Sequence, residues 1–179
     1  MKKLLSLTLL LVCLLGFNSC STTQIYSIMG NYVPQNSVTT STSFDKVWTK
    51  VVDFFAENSI PITTLSKESG LIVANDIPFG ENVVSYEDAS GQIVNKNAWF
   101  VLPYAKQAIG ARATGAFNVR IKTTDDGQTN IQINCSNLVG NYKIQYVDNF
   151  FQKQIIWNTY PRECKSTGVF EKTLLELFK

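Results

Sequence analysis

The sequence predicts an α+β fold, with an antiparallel sheet packed against an N-terminal helix and a C-terminal helix. Three observations carry this expectation. In TSFDKVWTKVVDFFAEN (42–58), Phe44, Val47, Trp48, Val51, Phe54 and Phe55 recur at helical spacing and form one apolar stripe. In AFNVRIKTT (116–124) and TNIQINCSNLV (129–139) the pattern changes to alternation, with Phe117, Val119, Ile121, Ile131, Ile133 and Cys135 on one side of their strands. A second stripe, Phe170, Leu174, Leu177 and Phe178, closes the chain. Strands gathered between two helices argue against a parallel βαβ sheet.

Each element has its local signals. SVTTST (37–42) reads as a short strand ahead of the first helix. Thr42 followed by Asp45 resembles a capping box, Ser43 is an alternative cap, and Asn58, Ser59 and Pro61 end the helix. IPITTLS (60–66) and LIVANDI (71–77) form a hairpin about the turn Lys67–Gly70. Residues 78–97, with two glycines and few apolar side chains, predict a long loop or a hairpin excursion pairing Val83 and Val84 with Ile93 and Val94. AWFVLPYA (98–105), interrupted by Pro103, suits an edge strand or a strand that ends there. Asp125-Asp126-Gly127-Gln128 is a hairpin turn between the two alternating strands. YKIQYV (142–147) is strand-like, and the aromatic run from Phe150 to Trp157 is weakly helical. The terminal helix is capped by Ser166 or Thr167, with Lys172 and Glu176 four apart.

The N-terminus carries an address. Lys2 and Lys3 precede an apolar run over 4–15, too short for the roughly 20 residues of a spanning helix, and residues 16–19 are small or polar except for Phe17. That is a secretory signal. It ends in FNSC (17–20), which resembles a bacterial lipobox, where cleavage precedes a cysteine that then carries acyl chains. The resemblance implies lipidation at Cys20 and anchoring by three acyl chains. Ser21, with no aspartate beside it, is similar to lipoproteins sent to the outer membrane, and the lack of an acidic cluster favours the periplasmic side. Residues 20–36 read as a lipidated tether and 37–179 as a single domain.

Removing Lys2 and Lys3 from the 16 basic side chains leaves 14 against 14 acidic ones, a net charge of zero. A neutral chain of this kind lacks the basic stripe that nucleic acid demands. In an oxidising compartment the remaining pair, Cys135 and Cys164, reads as a disulfide, with two separate buried thiols as the alternative. With no histidine and no Cys-x-x-Cys there is no metal site to expect.

The stretch SFDKVWTKVVDFFAENSIPITTLSKESGLIVA (43–74) resembles the opening of the helix-grip lipoprotein domains of the barrel-assembly lipoprotein C family. There a Phe-Asp-x-x-Trp helix precedes a strand, a Ser-Gly turn and a second strand, and STGVFEKTLLE (166–176) is similar to the closing helix. The resemblance implies a helix-grip arrangement in an envelope lipoprotein.

Catalytic patterns find little support. Ser43 and Lys46 match a Ser-x-x-Lys pair, but no Lys-Thr-Gly accompanies them and the position suits a helix cap. Glu87-Asp88 and Asp125-Asp126 are adjacent carboxylates, which point apart in strands and into water in turns. The expectation is a non-enzymatic structural or protein-interaction module without cofactors, with other envelope proteins and the membrane as partners. The alternative is a small-ligand or lipid-binding module whose helix–sheet crevice would use Trp48, Trp99 and Phe117.

Overall fold

The computed structural model describes residues 26–147, 153–157 and 161–179. The signal segment and Cys20 lie outside the described residues, as does the start of the aromatic run at Phe150. The architecture is α+β, dominated by sheet, with two helices among the described residues (α1, Phe44–Glu57; α2, Val169–Glu176).

Helix α1 buries Val47, Trp48, Val51, Phe54 and Phe55, five of the six residues of its expected stripe. Its start differs from expectation. Ser43 takes the N-cap position with φ −62° and ψ 151°, yet its side chain makes no capping bond. Thr42 forms no capping box either, because its hydroxyl and its N–H are both engaged by the Thr40 hydroxyl. At the other end Asn58 donates twice to the Phe54 carbonyl, from its backbone at 3.1 Å and its side chain at 2.8 Å. Ser59 then turns the chain at φ 55° and delivers buried Ile60 to the core.

The main sheet is built on one long hairpin, β6 (Ala108–Thr123) and β7 (Thr129–Val147), closed by Thr124–Gln128 with Gly127 at φ 78°. On the β6 side follow β3 (Leu71–Phe79) and β2 (Thr64–Ser66); on the β7 side lies β1 (Ser37–Thr40), giving the order β1-β7-β6-β3-β2. Gly70 closes the β2–β3 turn at φ 65°, and a Cβ there would overlap the Ile121 carbonyl, so only glycine fits the approach.

Register shifts bend the hairpin. One falls between Thr114 and Ala116 on β6, opposite Asn137 at φ 54° on β7; another falls at Ala108–Gly110. Such bulges kink a sheet and change which side chains face inward. On one side of the bend Phe117, Val119, Ile121, Ile131 and Ile133 are buried toward the helices: the Phe117 ring meets Phe55 of α1 and Phe170 of α2. Both helices therefore cover one face of the sheet. Beyond the bend the hairpin packs on a second sheet, where a Cβ at Gly140 would overlap Leu102.

That second sheet corrects two expectations. Its order is β10-β5-β4, with β5 (Phe100–Leu102) in the centre, β10 (Lys165–Ser166) antiparallel and β4 (Val84–Tyr86) parallel to it. This strand is thus central and fully buried rather than an edge, and it ends at Leu102, immediately before Pro103, as the other reading of the stretch expects. Val84 pairs with Phe100, so Val83 and Val84 do not meet Ile93 and Val94 as a hairpin; the closure falls later, with Glu87 bridging Ile93. The intervening 87–99 segment is the long crossover that parallel neighbours need.

Two short strands complete the free side of β7: β9 (Arg162–Glu163) and β8 (Lys153–Trp157). The weakly helical reading of this run fails at 153–157, where β-branched Ile155 and Ile156 find a strand edge to pair with. In α2 the buried residues are Phe170, Glu171, Leu174 and Leu175; just beyond the helix Phe178 is buried too, while Leu177 is 41% exposed. Gly168 occupies its N-cap at φ 86°, and Ser166 and Thr167 serve the first amides by accepting from Gly168 and Val169 at 3.1 and 3.3 Å. Lys172 and Glu176 pair at 3.7 Å.

Candidate functional site

The three aromatic residues expected to line a helix–sheet crevice belong to the interior instead. Phe117 is completely buried amid Phe55, Phe79, Phe100 and Phe170. Trp48 is 8% exposed and stacks on Phe44. Trp99 is half-buried between Phe79 and Phe170. Aromatic rings fill the space a ligand would need.

A concavity lies elsewhere. Along its free edge, β7 is paired by β1 at 129–132 and by β9 at 139–140, and no strand pairs with 133–138 among the described residues. A recess of about 370 Å³ opens at this gap, within the size range of ligand sites. One wall is β7 from Ile133 to Leu138; the other is Tyr32, Pro34 and Asn36 of the incoming chain, with Cys164, Ser166 and Glu171 also lining it. Asn36 accepts from the Ile133 N–H at 2.8 Å before the two segments part.

Glu171 gives the recess its chemistry. Only 2% exposed, it accepts from the Ser166 hydroxyl at 2.8 Å, and its charge acts on the nearby Cys135 thiol. Among the described residues no lysine or arginine forms an ion pair with it. A buried carboxylate served only by neutral donors favours an additional donor, above all a cationic one.

Cys135 and Cys164 line the same recess, but as free thiols and not as the expected disulfide. Burial, reinforced by the Glu171 charge, pushes the Cys135 thiol far above its ordinary range. Burial, with the nearby Glu163 charge, pushes Cys164 up to about 12. Both are protonated and unreactive at neutral pH.

The wall formed by the incoming chain was not foreseen. Residues 26–36, read as tether, are bonded to the domain through Glu87. This carboxylate is completely buried and accepts from the N–H groups of Gly30 at 2.7 Å and Met29 at 2.8 Å and from the Tyr32 hydroxyl at 3.1 Å. Tyr26 packs edge-on against Tyr104, with ring centroids 5.1 Å apart. Nothing in the short-range pattern of Tyr86-Glu87-Asp88 announces this role, because the partners lie 55 to 58 residues away. Asp88 serves its own turn, where the Ser90 hydroxyl and the Gln92 and Ser90 amides hold its carboxyl below the usual range.

Ser43 and Lys46 face a shallow groove on the outer side of α1 together with Asp45, which pairs with Lys67 at 2.9 Å. No family model, curated protein or solved structure matches this chain.

Proposed function

We propose that the mature chain is an envelope lipoprotein, acylated at Cys20 and held at the periplasmic side of the outer membrane, whose domain is a non-catalytic protein-interaction module. The observation that carries this reading is the gap at β7 133–138. It is an open sheet edge beside a recess floored by a buried carboxylate, while the helix–sheet interior is filled. An extended segment of another envelope protein laid along the gap would add backbone bonds to the edge, and a lysine, arginine or hydroxyl side chain would reach Glu171. The helix-grip likeness is kept as part of this proposal: two helices on one face of a curved antiparallel sheet are compatible with it.

The test is a photo-crosslinking residue placed at exposed Asn134 in the anchored protein in cells, with exposed Leu65 on the opposite sheet edge as control. The reading expects one defined polypeptide adduct at 134, absent at 65, and weakened by Glu171→Gln. A small-molecule adduct at 134 would transfer the recess to the ligand-binding alternative. No adduct at either position would reject the docking role.

A further inference from the structure

We infer that the end of the hairpin arm formed by β6, β7 and β8 rests directly on the lipid bilayer, so that the protein touches the membrane through its folded surface as well as through its acyl chains. This rests on the anchor reading proposed above and adds an orientation to it.

Chain length supplies the first argument. Because Glu87 and Tyr104 hold the chain from Tyr26 onward, only the steps from Cys20 to Tyr26 are left to span the distance to the lipid. That segment reaches at most roughly 20 Å fully extended. The domain therefore stands close to the headgroups, with the Tyr26–Tyr104 pair as its point of attachment.

The surface nearest that point is the second. Tyr104 leads through the Ala105–Ala108 turn, closed by a 3.0 Å backbone bond, into β6. There Gln107 accepts from the Gln145 amide at 3.2 Å, and Gln145 faces Ile155 across the next pair of strands. Two strand spacings amount to about 10 Å, so the arm end lies within reach of the attachment point. It exposes Ile109, Ile155 and Ile156 at 43%, 58% and 46%. Ile155 and Ile156 are consecutive in a strand and so project from opposite faces, which makes the end of the arm apolar on both sides.

The surrounding chemistry matches an interface. Tyr26, Tyr104 and Trp157 are the amphipathic aromatics favoured at headgroup level. Lys106 and Lys153 are exposed there, and the Arg112 guanidinium lies 4.2 Å from the Trp157 ring centroid. Among the described residues, Glu81 is a carboxylate that touches this end of the hairpin, and it is paired with Lys143 at 3.0 Å. Apolar side chains ringed by aromatics and bases, beside the tether's attachment, fit an anionic bilayer surface.

The experiment uses the full acylated protein in vesicles of phosphatidylethanolamine and phosphatidylglycerol that contain a headgroup-level doxyl lipid. A fluorophore is attached to a cysteine introduced at Ile155, Ile109 or Leu65, the last being 54% exposed on the far sheet edge. Quenching several-fold greater at 155 and 109 than at 65 is expected, and Ile155→Glu with Ile156→Glu should abolish it at 109. Equal quenching at all three positions overturns the contact. So does an unquenched probe at 155, including one shielded from aqueous iodide, which would mean that protein covers the arm. Fatty-acid labelling, run in parallel, separates the two claims: a labelled but unquenched protein sinks this inference alone, and an unlabelled one sinks the anchor with it.

Discussion

Phe117 of β6 and Phe170 of α2 lie face to face, with ring centroids 4.0 Å apart and 18° between their planes. The contact ties the C-terminal helix to the middle of the sheet, and Phe55 of α1 meets both rings edge-on. One fully buried ring thus joins the two helices and the sheet.

Phe117→Ala should therefore destabilise the fold by about 3–5 kcal/mol, the cost of emptying a large aromatic site. Urea unfolding measures it. A loss under about 1 kcal/mol would mean that the surrounding rings collapse freely into the space, contrary to their close packing.

Glu87→Gln should loosen residues 26–36 selectively. The amide retains one acceptor oxygen but turns an N–H₂ toward groups that themselves donate, at a cost of about 1–3 kcal/mol. Limited proteolysis should cut within 26–36 while the sheet remains protected. Equal resistance in the variant and the parent would show that the clasp is dispensable.

Tyr32 provides a pH signature for the same clasp. Burial, then the hydrogen bond to Glu87 and its charge, push the phenol up to about 12. Its folded value lies above the unfolded one, so its contribution is fully present below pH ~10 and is lost as pH rises through about 12. Burial raises Tyr142 as well, so a spectrophotometric titration should show late-ionising tyrosine that is diminished but not abolished in Tyr32→Phe; an unchanged titration would contradict the assignment.

The thiols make the opposite prediction to a disulfide. Without reductant, iodoacetamide should modify neither Cys135 nor Cys164 in the folded protein at pH 7, and both after unfolding in urea. Because their folded values are raised, the protonated thiols contribute stability below pH ~8.5 that declines as pH rises through about 12 at Cys164. Mass spectrometry showing no alkylation after unfolding would instead establish a bridge.

Several elements were legible because their causes are local. The stripe from Phe44 to Phe55 is a helix wherever an apolar surface covers it, and Phe117 to Ile121 against Ile131 to Cys135 can pair only as a hairpin once Gly127 turns the chain. Residues 108–115 joined that hairpin without an alternating pattern, because pairing with β7 and contact with the second sheet supplied what periodicity lacked. At 153–157 the free edge of β7 likewise overrode the helical spacing of the aromatic run.

By itself, then, the sequence determined the α+β class, the two helices, the central hairpin and the expectation of an acylated Cys20. Tertiary structure alone decided the rest. Gly30 meets Glu87 across 57 residues, Val84 finds Phe100 in parallel, and Cys135 and Cys164 line one recess as free thiols. These choices depend on which buried polar group and which open edge remain after the hydrophobic faces have closed. Periodicity specifies which face of an element is apolar, but the partner of a buried carboxylate is set by which distant segment the closed fold brings beside it, as residues 29–32 are brought to Glu87.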